Sequence, residues 1–250
     1  MGDVLLSNLK PNQMKSATLT TSILCFVAGL TFTANTYAQS TKNIAINNFS
    51  GIGVSSGIDL YISQTGTESI KLVGDDELIE NVVIEKSGSK ISIHYKEGFR
   101  WSSIFSKKNV KAYVTLKTLT DLSASGGSDV YSQNTIKTSQ MSIRASGGSD
   151  IKLNLVCTDI VIRSSGGSDI NLTGSAANMT LATSGGSDVD ALGFPVDYAK
   201  VTASGGSDAS VYVNKALEAG ASGGADVYYK GDASYKKTSS SKSGDVKRIK

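Results

Sequence analysis

The chain has 250 residues, of which 39% are hydrophobic and 19% charged, with a formal net charge of +3. This composition supports a packed core and excludes wholesale disorder. Two cysteines cannot staple a disulfide scaffold, and a single histidine, His94, argues against a histidine-based metal site or a serine–histidine–aspartate triad. The 26 glycines against 2 prolines lack the every-third-residue spacing of collagen.

Residues 1–38 are predicted to be a secretory signal whose true start is Met14. A lysine precedes an apolar stretch from Leu19 to Phe32, and Thr36-Tyr37-Ala38 is a small-x-small cleavage signature. The alternative, an uncleaved anchor, is disfavoured because the stretch is short and rich in threonine. We therefore expect a mature chain that begins at Gln39, has no transmembrane anchor, and is exported to the periplasm, the outer surface or the medium.

Residues 39–122 are predicted to be irregular β-rich coils with a cap. A glycine-containing loop between Val82–Ile84 and Ile91–Ile93 indicates a β-hairpin. Other segments alternate like strands: Asn43–Ile62, Ser69–Val73 and Val110–Leu116. Terminal units of a repeat array are commonly atypical because they close its exposed core. Trp101 and Phe105 are interpreted as part of this cap, with a sticky surface loop as the alternative.

Two isolated residues receive structural interpretations. Cys157, the only thiol left after cleavage, is expected to be a small, partly buried hydrophobic residue rather than a reactive nucleophile. His94 lies in a predicted strand and is expected to be a surface residue rather than a catalytic or metal-binding one. Neither residue therefore predicts an active site.

The dominant pattern is a five-residue turn that occurs six times in residues 123–229. The copies are Ser125–Asp129, Ser146–Asp150, Ser165–Asp169, Ser184–Asp188, Ser204–Asp208 and Ser222–Asp226. Their final aspartates are separated by 21, 19, 19, 20 and 18 positions. A period near 20 residues with one fixed turn is typical of a solenoid. Weaker copies occur at Ser55–Asp59 and Ser241–Asp245.

Apolar residues alternate with variable ones on both sides of each turn, as in strands with one buried face. An antiparallel meander would need a second type of turn at the opposite end, whereas only one strong turn occurs in each period. The pattern therefore favours a parallel β-helix with about 20 residues per coil. Small residues two positions before the first glycine of each turn fit a tight corner.

The paired glycines are predicted to form the corners, because positive φ costs glycine little. They are Gly126, Gly127, Gly147, Gly148, Gly166, Gly167, Gly185, Gly186, Gly205, Gly206, Gly223 and Gly224. Stacking would also place six carboxylates in one column: Asp129, Asp150, Asp169, Asp188, Asp208 and Asp226. Two interpretations stay open for this column. Its carboxylates could accept hydrogen bonds from turn groups, or they could hold a ladder of Ca²⁺ ions, which prefer oxygen ligands.

The last segment, residues 230–250, is a basic polar tail or a frayed last coil. It carries seven basic and two acidic residues, so the overall positive charge belongs to the tail. Nucleic-acid binding would require basic and aromatic residues clustered on a folded face, and the export signal also argues against it. Attachment of the tail to an anionic envelope surface is the weaker alternative.

The signal, the irregular β-rich first half and the turns of the form Ser-Gly-Gly-Ser-Asp-Val/Ile resemble the family of putative auto-transporter adhesins with a head GIN domain. The resemblance covers Asn43 to the C-terminus, and Gly57-Ile58-Asp59 corresponds to the namesake motif with Asp in place of Asn. It implies a right-handed parallel β-helix and, through the name, an adhesive role. The polar tail after Tyr229 lacks the amphipathic strands of an autotransporter barrel.

Three functions follow from these observations. The first is a non-enzymatic solenoid of the cell envelope that binds a glycan or another cell-surface ligand, with no cofactor. The second is a polysaccharide-active β-helix enzyme, because stacked carboxylates offer the spacing that glycoside hydrolysis uses. The regularity of the column argues against it, since an active site normally interrupts the repeat. The third is a structural solenoid stabilised by calcium.

Overall fold

The computed structural model describes residues 39–99, 109–238 and 243–250. The predicted signal segment and the residues Trp101 and Phe105 lie outside these ranges. The described strands are β1 (Ser40–Ile44), β2 (Gly51–Val54), β3 (Asp59–Gln64), β4 (Ser69–Gly74), β5 (Val82–Ser87), β6 (Lys90–Tyr95), β7 (Lys111–Leu116), β8 (Asp121–Ala124), β9 (Asp129–Ser132), β10 (Ile136–Lys137), β11 (Gln140–Ser146), β12 (Asp150–Val156), β13 (Asp159–Ser165), β14 (Asp169–Gly185), β15 (Asp188–Gly205), β16 (Asp208–Gly223), β17 (Asp226–Lys230), β18 (Ser234–Lys237) and β19 (Asp245–Arg248). One helix, α1 (Asp76–Glu80), joins β4 to β5.

The parallel β-solenoid predicted from the repeat is confirmed, with about seven turns spaced about 19 residues apart. Each coil pairs in parallel with the next, and equivalent turn residues lie beside each other. Asp150, for example, is in register with Asp129 on one side and Asp169 on the other. The repeat period in the sequence therefore equals one coil of the structure.

The coils do not stack in the order in which they occur in the chain. β2 pairs with β6 on one side and with β8 on the other, while β3 pairs with both β7 and β9. The coil of residues 51–64 is therefore held between the coils of residues 90–116 and 121–132. The spacing of the turns did not predict this order, because a turn signal shows where a coil bends and not which coil lies beside it.

Antiparallel strands cover the first end of the stack. β4 pairs antiparallel with β7, β1 with β4, and β5 with β6. The β5–β6 pair is the hairpin expected from the sequence. Helix α1 was not predicted, because five residues are too few to show helical periodicity; Asp75 caps it by accepting a hydrogen bond of 3.1 Å from the Glu77 N–H.

The core is a continuous apolar column inside the coils. Residues at alternate strand positions, such as Ile151, Ile170 and Val189, are at most 2% exposed.

The basic tail contributes to the stack as well, because β18 pairs in parallel with β16 and β19 with β17. We define face A as the strand layer that runs β1-β4-β7-β3-β9-β12-β14-β15-β16-β17-β19, using the first part of each long strand.

Candidate ligand-binding face

The glycine pairs form corners, but their two members differ. Both glycines have positive φ in the first two turns, including 60° at Gly126 and 74° at Gly127. From the third turn onward only the first glycine does, with 80° at Gly185, whereas Gly167, Gly186, Gly206 and Gly224 do not. The expectation that each pair as a whole needs positive φ is therefore wrong for these four. In the fourth to sixth turns the second glycine instead donates to the preceding coil, as Gly186 N–H does to Gly166 O at 2.8 Å.

The second serine of the first five turns is buried inside the corner, and Ala225 takes its place in the sixth. Ser187 is fully buried, and its hydroxyl donates to Ser184 O at 2.8 Å and lies 2.7 Å from the Thr183 hydroxyl. Ser168 makes the equivalent contacts with Ser165 and Ser164. The residue directly before the turn, as at Ser164 and Thr183, is therefore small because it lies against this serine.

The six aspartates of the turns form the predicted column along face A, which Asp59 and Asp245 extend. Oδ1 of Asp188 accepts from the Asp208 N–H at 3.3 Å, and Oδ1 of Asp208 accepts from the Asp226 N–H at 3.2 Å. Asp226 accepts from the Asp245 N–H at 3.1 Å. These bonds offset part of the repulsion between carboxylates one strand spacing apart.

The calcium interpretation of the column stays a prediction. Within residues 39–99, 109–238 and 243–250, no three His, Cys, Asp or Glu side chains are grouped so that they could hold a metal ion. Burial, and then the neighbouring Asp129, raise the pKa of Asp59, while Asn109 and Lys111 oppose the rise. Hydrogen bonding therefore accounts for the orientation of several carboxylates without a cation.

A row of stacked tyrosines lies beside the column at the first coils of face A. Tyr61 is stacked on Tyr113 with ring centroids 5.0 Å apart, and on Tyr131 with centroids 5.3 Å apart. The three rings, which we call the tyrosine ladder, come from β7, β3 and β9, so the coil order described above creates the ladder. The sequence analysis missed it because Tyr61 and Tyr131 are 70 positions apart.

Three lysines cover the ladder. The Lys71 ammonium lies 5.1 Å from the ring centroid of Tyr113, Lys111 lies 5.7 Å from that of Tyr61, and Lys152 lies 5.9 Å from that of Tyr131. The ring faces are therefore occupied by other rings and by ammonium groups. The outward parts are the ring edges, the hydroxyls and the ammonium groups themselves.

Tyr131 differs from the other two tyrosines of the ladder. Its hydroxyl donates to Asp129 Oδ2 at 3.3 Å. Burial, together with the charge of Asp129, raises the pKa of Tyr131 to about 12. This phenol therefore keeps its proton at neutral pH, and part of the Asp129 carboxylate is engaged.

Cys157 and His94, for which the sequence predicts structural roles, lie away from the ladder. Cys157 is partly buried against the core, and burial raises the pKa of its thiol to about 11. His94 is half-buried in β6, with Nδ1 2.8 Å from Tyr95 O and Nε2 3.7 Å from Glu85 Oε2. Because its pKa is raised to about 11, the Cys157 thiol is hardly ionised at neutral pH, which makes Cys157 a poor nucleophile.

The fold and face A define a parallel β-solenoid with a filled core and a patterned exterior. The chain belongs to the family described as putative auto-transporter adhesin, head GIN domain, whose profile matches residues 48–233. No curated protein matches the chain. Among the residues that the structure describes, no helix is long and apolar enough to cross a membrane.

Solved structures share the fold at low sequence identity. A putative adhesin from Bacteroides fragilis is 20% identical, with a TM-score of 0.78 over 85% of this chain and 97% of that one. A putative adhesin from Parabacteroides merdae is 21% identical, with a TM-score of 0.68 over 85% and 96%. A putative lipid binding protein from Parabacteroides distasonis is 17% identical, with a TM-score of 0.66 over 85% and 97%. At these identities the likeness shows the fold alone.

Proposed function

We propose that the protein is an exported, non-enzymatic solenoid of the cell envelope that binds a glycan on its outer surface. The observation that carries this proposal is the in-register exterior of face A, where the turn aspartates form a column and three tyrosines form a stack, with neighbours one strand spacing of about 4.8 Å apart. A rigid surface with a short repeat suits a ligand that is itself a repeating polymer. The family and the structures described as adhesins support binding at a cell surface.

The binding surface in this proposal is the outside of the coils. Apolar side chains fill the space inside the coils, as at Ile52, Leu60 and Leu122, which are fully buried. A polymer must therefore contact the outside of the strands. The stacked rings, ammonium groups and carboxylates of face A supply both donors and acceptors for its hydroxyl groups.

Two measurements on residues 39–250 and on cells that produce the full chain test the proposal. Binding to a glycan array, combined with protease digestion of the protein on intact cells, would support it. The absence of any glycan ligand, together with unchanged attachment of cells that lack the gene, would contradict it. Release of reducing ends from a bound glycan would instead support the enzyme hypothesis.

A further inference from the structure

Some hydrogen-bonding groups of the tyrosine ladder and of the three lysines that cover it have partners among the described residues, and others do not. In the described ranges of the chain, no carboxylate lies within 4.0 Å of the Lys71, Lys111 or Lys152 ammonium, and the hydroxyls of Tyr61 and Tyr113 have no hydrogen-bond partner. All five groups donate hydrogen bonds, and three of them carry positive charge. Their complement is a ligand rich in acceptors and negative charge.

The two nearby acidic groups are already partly engaged, one of them with a lysine that covers the ladder. Asp59 interacts with Asn109 and Lys111, and Asp129 accepts from Tyr131. Beyond Lys152 the column of face A continues with Asp169, Asp188 and Asp208, and Asp190 adds another carboxylate at the position equivalent to the ladder. Beyond the three lysines of the first coils, β14 to β16 carry carboxylates, and the next lysine in the same row is Lys247 in β19.

We propose that the tyrosine ladder and its three lysines bind an acidic polysaccharide, one that carries carboxylate or sulfate groups. The proposal rests on the function proposed above and specifies its ligand. Lys71 and Lys152 are four strand spacings apart, about 19 Å, so several units of an extended chain span the site. Because the ring faces are covered, a sugar ring does not stack on them, and recognition comes from ammonium and phenol groups at the ring edges.

The same geometry argues against two other acidic partners. A planar anionic membrane that met the ladder would also meet the column of aspartates on the same face, whereas a flexible polymer can contact the first coils alone. An acidic peptide could add as a strand only at a free edge, and the ladder strands β7, β3 and β9 are each paired on both sides. A polymer that lies across the paired strands fits both restrictions.

The test measures binding of residues 39–250 to polygalacturonate, dextran sulfate and neutral dextran at low and high salt. We expect binding to one or both acidic polymers that weakens as salt rises, and a dissociation constant roughly tenfold higher for Lys71→Gln/Lys152→Gln. The control Lys200→Gln/Lys237→Gln removes the same charge from exposed lysines outside the ladder and should stay within about twofold of the wild type. Tyr61→Phe/Tyr113→Phe keeps the rings and should weaken binding through loss of the hydroxyls alone.

Several outcomes would overturn the proposal. Equal losses of polymer affinity in Lys71→Gln/Lys152→Gln and in the control variant would mean that net charge alone determines binding. Ladder-dependent binding to vesicles of anionic phospholipid, without binding to the polymers, would identify a membrane instead. Binding to neutral glycans alone would overturn the acidic ligand and leave the proposed function intact, whereas no glycan binding together with unchanged cell attachment would overturn both.

Discussion

The two glycines of the fourth turn provide a matched test of how the corner works. Gly185 has φ of 80°, and a Cβ there would lie 2.9 Å from Gly166 O and 3.0 Å from Gly166 N. Gly186 lacks positive φ, and its Cβ would meet Gly166 O at 3.8 Å, an ordinary contact. Gly185→Ala and Gly186→Ala thus add the same methyl group to adjacent positions with opposite expected effects.

The magnitudes follow from these contacts. Alanine in the left-handed region costs about 1–2 kcal/mol, and the approach to backbone atoms of the neighbouring coil adds to it, for a total loss of about 2–4 kcal/mol at Gly185. At Gly186, alanine reduces the entropy of the unfolded chain and should change the free energy of unfolding by less than about 1 kcal/mol, in the stabilising direction.

Thermal and urea unfolding of residues 39–250 would measure the difference. For a domain of this size, in which 1 kcal/mol shifts the midpoint by roughly 2–4 °C, Gly185→Ala should lower the midpoint temperature by roughly 4–16 °C relative to the wild type. Gly66→Ala separates the two contributions, because Gly66 has φ of 82° and nothing within 4 Å of the added Cβ. Equal effects of Gly185→Ala and Gly186→Ala would refute the account of the corner.

Three further predictions concern stability. Lys117 holds the pKa of Glu68, whose side chain is 4% exposed, below its ordinary value of 4.5. The ion pair therefore stabilises the fold above pH 4.5, and this stabilisation is lost as the pH falls. The free energies of unfolding of the wild type and of Glu68→Gln should accordingly converge toward low pH in acid unfolding experiments. Ser187→Ala should cost about 1–2 kcal/mol by urea unfolding, because the partly buried Ser184 carbonyl loses its donor and the buried Thr183 hydroxyl loses its hydrogen-bond partner Ser187 Oγ, and no loss would contradict the role of the buried serine. Melting curves in millimolar Ca²⁺ and in chelator should superimpose, because Oδ1 atoms of the aspartate column already accept backbone N–H groups; a rise of several degrees with Ca²⁺ would restore the calcium hypothesis.

The repetitive half of the fold could be predicted because each coil repeats the same short sequence pattern. The turn from Ser184 to Asp188 specifies a corner, and the alternation on each side of it specifies which residues face the core. Parallel stacking follows, since like turns then lie beside like turns. The aspartate column was predictable for the same reason.

The candidate site was not predictable, because it depends on which coils are neighbours. Tyr61 meets Tyr113 and Tyr131 only because the coil of residues 51–64 enters the stack between two later ones. No local pattern encodes that order, and the three rings occupy ordinary outward strand positions. Helix α1 escaped prediction for a different reason, since its signal was a capping residue followed by a single turn.

The order of the coils is the central claim, because both the fold and the ladder depend on it, and disulfide formation tests it directly. In a Cys157→Ser background, Ser63→Cys should form disulfides with Thr115→Cys and, in a separate variant, with Gln133→Cys, since each pair lies on directly neighbouring strands about 4.8 Å apart. The pair Thr115→Cys and Gln133→Cys is two strands apart, about 10 Å, and should stay reduced. A disulfide between Thr115→Cys and Gln133→Cys, with none between Ser63→Cys and Gln133→Cys, would mean that the coils stack in chain order and would contradict the account.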